Sequence, residues 1–483
     1  MSRLENYRSD DDQTKQQLQQ FDDLVDDGII CISDTESIPD TQQSKPPELT
    51  QLPVTLQYPD GVVRLTRMVD SPLSPDVVTL DQLIRKPEVE KVLVTSFVLD
   101  MNWLLRHFNE TTKVVVVAHS NNKEEKPGVY TSESGRVMVI RPSFNGLQWS
   151  IMHSKIMLLF CKGSMRLVVS SANFFSIDWT VLQNIVFIQD FPLLEDAPQE
   201  CEFGRELVGA LRDLQVPEQV IEQVRRVDFS SARARIVTSV PSKLPLERKH
   251  LKTYGLARLH QVAGEMRRKI NPVKANTWFD TTLYCYGSSM GKLTSGYLRD
   301  LYLCALGSSL SEYRRKTNRD DAATQAAISQ NVNIGFHTQD QANQNRFGDV
   351  PRECIKFRSN LYFDEAYMSS RLHKVTPVVD RVLMHAKVMV ARYGENNKEN
   401  GWLYLGSHNC TPAAWGYVDM TRNATTRIKY LNNFEFGVVL PEVTFESMFG
   451  RDTITWNGTK VPLPFKLKWE PYGQMDLPCM NMV

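Results

Sequence analysis

The sequence predicts an α/β protein of two similar halves, each a sandwich built on a mixed sheet, related by a pseudo-twofold axis. A recurring motif is the first observation behind that prediction. Met152-His153-Ser154-Lys155 and Met384-His385-Ala386-Lys387 each run into an apolar, β-type stretch. The second is a match downstream of the motif: each copy has a second apolar run ending in an Asn, at Asn173 and Asn409, with a Trp six residues on, at Trp179 and Trp415. The third is the alternation of short β-branched runs with helical or turn segments, a pattern of buried strands in a mixed sheet.

In chain order, residues 1–50 read as a disordered acidic tail, with twelve Asp/Glu against four Lys/Arg. One apolar island, Ile29-Ile30-Cys31-Ile32, interrupts it. A short β-branched run flanked by acids can add a strand to a partner's sheet edge, and this one resembles a SUMO-interacting motif. From residue 51 the chain turns globular. Strands are expected at Lys91–Phe97, Lys113–His119, Val137–Arg141, along both repeat segments, and at Asn184–Ile188. Residues 236–246, with two prolines, are the expected linker. The first domain thus spans 51–240 and the second 241–483. Residues 314–349 are polar and Asn/Gln-rich, an expected exposed excursion around a strand at 331–336. In the second half the run Asn433-Phe434-Glu435-Phe436-Gly437-Val438-Val439-Leu440 matches Gln183-Asn184-Ile185-Val186-Phe187-Ile188, in an alignment that sets Glu435 against Gln183.

Composition narrows the function. The chain of 483 residues has 42% hydrophobic and 23% charged residues, values of an ordinary soluble protein. No apolar run approaches about 18 residues, so no membrane span is expected. Eight dispersed cysteines show no paired ligand spacing, which argues for reduced thiols and against a zinc module. Net charge is zero, yet the acidic tail leaves the remainder with an excess of basic residues sufficient for a local basic groove.

Residues two apart on an extended strand share a face, so His153 and Lys155 point together, as do His385 and Lys387. Two such units facing one another gather two imidazoles, two ammonium groups and two amides, from Asn173 and Asn409. That set suits a phosphodiester: one His attacks phosphorus in line and the other protonates the leaving oxygen. Lys and Asn donate to the equatorial oxygens. The lysines supply the positive charge a metal otherwise would, so neither metal nor other cofactor is expected. The small-residue loop Gly287-Ser288-Ser289 can present N–H groups to phosphate, and equally makes a plain turn. His408, beside Asn409, lines the site, packs behind it or caps a turn.

Paired His-x-Lys units resemble the phospholipase D superfamily, whose usual Asp five residues beyond the Lys is replaced here by Phe160 and Arg392. With a distant Asn in each copy, and with Ser171-Ala172-Asn173, Asp178-Trp179, Ala413-Ala414-Trp415-Gly416 and Phe434-Glu435, the chain from about 60 to 470 resembles the tyrosyl-DNA phosphodiesterase family. The resemblance implies two phospholipase-D-like α/β/α sandwich domains and a DNA-repair hydrolase that frees 3′ ends from a stalled topoisomerase I peptide. It places the nucleophile on His153 and the general acid/base on His385. Phosphate-holding roles fall on Lys155, Lys387, Asn173 and Asn409, and histidine-orienting roles on Gln183 and Glu435. Trp149 fits a base-stacking platform. Phe97 stands where the family often has Tyr, which would lose a hydroxyl contact and keep stacking. Ser288, Ser289 and Thr411 match phosphate-contacting positions. The implied partners are single- and double-stranded DNA 3′ ends and a topoisomerase I-derived peptide, with a monomer in the nucleus expected. The alternatives are a general nuclease or phosphodiesterase of the superfamily, and a non-catalytic repair scaffold.

Overall fold

The computed structural model describes residues 30–31, 56–119, 125–144, 150–241, 253–270, 281–307, 328, 330–357, 371–393, 398–420, 426–429, 431–448 and 451–480. Two large mixed sheets organise them, and each is built on one plan. In the first, Val89–Ser96, Lys113–Ala118 and Val137–Arg141 run parallel. Ile156–Cys161, Ser164–Ser170 and Ile185–Pro192 come next, antiparallel, on the other side of Val89–Ser96. In the second, Thr281–Tyr286, Val332–Phe336 and Leu372–Lys374 form the parallel trio. Val388–Tyr393, Lys398–Gly406 and Asn433–Met448 form the antiparallel one. The strand order is the same in both, so the repeat seen in sequence is a repeat of structure.

The strands are apolar on both faces, because both faces are covered. Inner faces of the two sheets meet in one core that joins Leu158, Leu167, Val169 and Phe187 to Val388, Leu403, Leu405 and Phe436. Helices Glu202–Asp213 and Glu218–Arg225 close part of that core through Leu207, Leu211 and Ile221. The outer face of the first sheet is covered by short helices carrying Leu83, Ile84 and Leu104. The outer face of the second packs against Gly255–Ile270 and Ser295–Ala305. Burial on this scale removes about 25 cal/mol of unfavourable hydration per Å² of apolar surface, and drives the two halves together.

Three placements differ from expectation. The strand Arg235–Ser239 pairs with Asn433–Met448, so the start of the expected linker is a strand of the second sheet. Its Ile236 and Val237 are buried, which the two nearby prolines hide from a sequence reading. The strand expected at 331–336 is present as Val332–Phe336, but it is a central strand with Ile334 and Phe336 fully buried rather than the middle of an exposed excursion. Ile30–Cys31 pairs antiparallel with Gly128–Thr131 at the edge of the first sheet. Ile29 and Ile32 lie outside the described residues.

Candidate active site

The two His-x-Lys segments interrupt strands where the halves meet. Residues 153–155 lie between Ile151–Met152, which pairs with Asn433 and Phe434 of the second half, and Ile156–Cys161 of the first sheet. Residues 385–387 lie between Met384, bridged to Gln183 of the first half, and Val388–Tyr393. The expected extended strand through each motif is therefore broken at the motif, because the chain is passing from one half's backbone to the other's. His153 N–H donates to Phe434 O at 2.8 Å, and His385 N–H donates to Gln183 O at 3.0 Å. Each histidine is thus docked on the opposite half. Both lysines are fully buried, and each ammonium donates to the carbonyl of the histidine two residues before it.

Side chains repeat the exchange. Glu435 Oε2 accepts from His153 Nδ1 at 2.8 Å, and Asp178 Oδ2 accepts from His385 Nδ1 at 3.1 Å. Both carboxylates are fully buried. Glu435 lies with its side chain on a site histidine. Gln183 does not: it holds His385 through its backbone carbonyl, while its side-chain oxygen makes no hydrogen bond among the described residues. The reason is register. Ser171 Oγ donates to Asn184 Oδ1 and accepts from Ile185 N–H; Ser407 Oγ donates to Glu435 Oε2 and accepts from Phe436 N–H. Asn184, rather than Gln183, is therefore the counterpart of Glu435. A slip of one residue along a strand moves a side chain to the opposite face. Asn184 turns its amide to the Asp178 carbonyl at 2.8 Å, and Asp178 supplies the carboxylate that Asn184 lacks. Both imidazoles therefore have a carboxylate on Nδ1, where a Gln183 side chain would have set an amide against one of them.

Both asparagines sit at strand-end turns, as expected. Asn173 Oδ1 accepts from Val98 N–H at 3.2 Å and Asn409 Oδ1 from Ser289 N–H at 3.1 Å. These matching bonds make Phe97 and Ser288 equivalent positions in the two halves. Tying each amide oxygen to backbone turns the amide nitrogen away from it. Asn173 Nδ2 donates to Asp178 Oδ2 at 3.0 Å. Ser288 Oγ also reaches Asn409 Oδ1, at 3.4 Å. Thr411 Oγ1 accepts from Ala414 N–H and caps the helix Pro412–Trp415, a role a hydroxyl can combine with donation to a ligand. The Phe97 ring lies 5.3 Å from that of His153, with the Lys155 ammonium 5.8 Å from its centroid. Trp149 lies outside the described residues.

Burial dominates the electrostatics. It pulls His153 down to about 4, against the opposing pull of Glu435, and His385 to about 4 against that of Asp178. Burial also lowers Lys155 to about 7, and it lowers Lys387 well below the ordinary range, with Lys155 as the next cause. Burial alone would raise both carboxyls. The facing His153 overrides it and holds Glu435 at about 2, while His385 and Lys387 keep Asp178 below its usual value. Neutral imidazoles that donate Nδ1–H to carboxylates keep a lone pair on Nε2, the state a nucleophile or general base requires. The two lysines, sharing one site, gain from any anion that enters it.

Three histidines that sequence reasoning left without a role, or with a doubtful one, are part of this structure. Met152 N–H donates to His119 Nδ1 at 3.3 Å, and Met384 N–H donates to His337 Nε2 at 3.1 Å. Each accepts from the residue just before a site histidine, and each comes directly after an equivalent parallel strand, Lys113–Ala118 or Val332–Phe336. The only signal in sequence is a His directly after an apolar run in both halves. His408 is buried between Ser239 Oγ, 3.0 Å from its Nε2, and the Tyr404 hydroxyl at its Nδ1. It also lies against the Trp415 ring at 4.3 Å, so it packs behind the Asn409 turn.

Known proteins resemble this chain in sequence and in fold. The profile of the tyrosyl-DNA phosphodiesterase family matches residues 62–473. Tyrosyl-DNA phosphodiesterase 1 of Drosophila melanogaster is 24% identical over 447 residues, covering 86% of this chain and 72% of the relative. Its namesake in Arabidopsis thaliana is 20% identical over 444 residues, covering 81% and 69%. The crystal structure of the yeast tyrosyl-DNA phosphodiesterase superposes with a TM-score of 0.62 at 17% identity, covering 87% of this chain and all of that one. At that identity the last comparison speaks for the fold.

Proposed function

The chain belongs to the tyrosyl-DNA phosphodiesterase family, and on that premise we propose how its residues carry the activity. The protein is a DNA-repair phosphodiesterase, a hydrolase of the 3′-phosphotyrosyl bond that joins DNA to a topoisomerase peptide. His153 Nε2 attacks phosphorus in line and the bond to the tyrosyl oxygen breaks. The phosphate anion, entering beside the Asp178 carboxylate, draws a proton onto His385 Nε2, and the imidazolium so formed gives that proton to the tyrosyl oxygen as it leaves. The product is a phosphohistidine on DNA. Water, deprotonated by His385, then attacks phosphorus, breaks the P–N bond and leaves a 3′-phosphate. Lys155, Lys387 and the amide nitrogens of Asn173 and Asn409 stabilise charge on the equatorial oxygens. Asp178 and Glu435 hold the two rings. Ser288, Ser289 and Thr411 contact phosphate, and Trp149 and Phe97 support the strand.

The observation that carries this reading is the crossed support of the two histidines, each held in backbone and carboxylate by the other half. Such support suits two groups that act on one phosphorus from opposite sides. The experiment is incubation of a 3′-phosphotyrosyl oligonucleotide with the full chain in EDTA. Release of tyrosine is expected; strict dependence on magnesium would sink the mechanism, and binding without turnover would favour a scaffold.

Three finer readings are proposals as well. The protein acts as a monomer in the nucleus, where its substrate arises; sedimentation and a fluorescent fusion test this. Ile29–Ile32 binds SUMO as an added strand. Ile30–Cys31 occupies the protein's own sheet edge, so SUMO would have to draw it away. Loss of SUMO capture when Ile30 and Ile32 become Ala is the expected result.

A further inference from the structure

His119 and His337 accept equivalent backbone N–H groups in the two halves, through Nδ1 and Nε2 respectively, and their surroundings differ. His337 is fully buried, with the Tyr286 ring 5.9 Å away and Gln341 beside it. His119 is half-buried. Its ring lies 5.1 Å from Phe97, which in turn lies 5.3 Å from His153. The imidazoles of His119 and His153 feel each other, and burial together with nearby His153 and Lys155 keeps His119 neutral, at about 4. Because Nδ1 accepts the Met152 N–H, the single ring proton sits on Nε2. His119 therefore has one fixed donor beside an aromatic face, next to the proposed nucleophile.

In-line geometry gives the direction. The leaving group departs opposite the attacking atom, so groups that flank His153 border the part of the substrate that stays. We infer that His119 is a substrate-binding residue, whose Nε2–H donates to an acceptor on the retained 3′-terminal nucleotide while Phe97 packs against that nucleotide. His337, its counterpart, serves only to fix the backbone before His385. The inference rests on the phosphodiesterase reading above and adds to it a residue and the side of the substrate it meets.

The test uses the full chain and two oligonucleotides that share a 3′ end and differ in leaving group, one tyrosyl and one 4-nitrophenyl. His119→Asn keeps an acceptor near the Nδ1 position for Met152 and removes the Nε2–H. It is expected to raise KM about 10-fold on both substrates with kcat within about 3-fold. His119→Gln, which returns an amide N–H near the Nε2 position, should recover part of the loss. His337→Asn should lower kcat and Tm and leave KM unchanged. The inference is overturned by an unchanged KM in His119→Asn, by a loss confined to kcat and Tm, or by a KM penalty that depends on the leaving group. A wild-type chain that cleaves neither substrate sinks the phosphodiesterase reading itself, and this inference with it.

Discussion

Asp178 Oδ2 stands 3.1 Å from His385 Nδ1, although the two residues belong to opposite halves and are 207 positions apart. The same carboxylate oxygen accepts the backbone N–H and the side-chain amide of Asn173. One buried atom therefore couples the Asn turn of the first half to the histidine of the second. Asp178→Asn would place an amide against Nδ1 and favour the wrong tautomer, with a fall in kcat of about 10²–10⁴-fold. Gln183→Leu should cost less than about 3-fold in kcat, because the backbone carbonyl that holds His385 remains. Steady-state kinetics of the two variants decide between them; a larger loss in Gln183→Leu would contradict the observed register.

The two histidines have separable duties in the proposed mechanism. His385→Ala retains the nucleophile and loses the group that activates water, so a covalent protein–DNA species should accumulate on denaturing gels. His153→Ala should form none, and its turnover should fall by roughly 10³-fold or more. Equal trapping in both variants would reverse or end the assignment.

Gly437 tests the packing behind Asn409. A Cβ at Gly437 would come within 2.2 Å of the Tyr404 hydroxyl, the group that engages His408. The neighbouring strand fixes the backbone there, through the pairing of Gly406 with Gly437. Gly437→Ala must displace Tyr404 and with it the 407–409 turn. Destabilisation of about 1–3 kcal/mol is expected, together with reduced kcat. A urea midpoint equal to that of the wild type would show that the turn yields without cost.

Acid should unfold this protein early. Burial lowers His119, His153, His337 and His385 from 6.5 to about 4, and His408 to about 3. The unfolded chain binds protons at these sites near pH 6.5 and the folded one only near pH 4 or below. The histidine contribution is therefore full above about 6.5 and falls as pH drops through the window between the two. The slope is about 1.4 kcal/mol per pH unit for each proton taken up only by the unfolded chain. Glu435, held at about 2, and Asp178, also lowered, add stability above their ordinary carboxyl range that is lost as pH falls further. Urea midpoints at pH 7.5, 6 and 5 measure the slope; a flat profile over that range would contradict the neutral, buried histidines.

Much of this protein is legible in sequence because it is written twice. The His-x-Lys-to-Asn repeat identified the two half-sites, the doubled sheet plan and the family, since matching flanks constrain each other as a single motif does not. The family resemblance also placed Glu435 on a histidine. Other relationships are not local. The Asn184–Glu435 equivalence depends on strand register, which an off-by-one alignment of apolar residues does not reveal. Asp178 has no counterpart in the second half, where Ala414 stands five residues after Asn409, so the repeat itself pointed away from it. His119 and His337 acquire roles only where the strands that precede them come alongside Met152 and Met384. The order of residues along the chain was enough to name the paired histidines, lysines and asparagines of the site. Which carboxylate meets which imidazole was settled by folding, because both histidines take their hydrogen bonds from chain segments that nothing but the folded state brings across the seam.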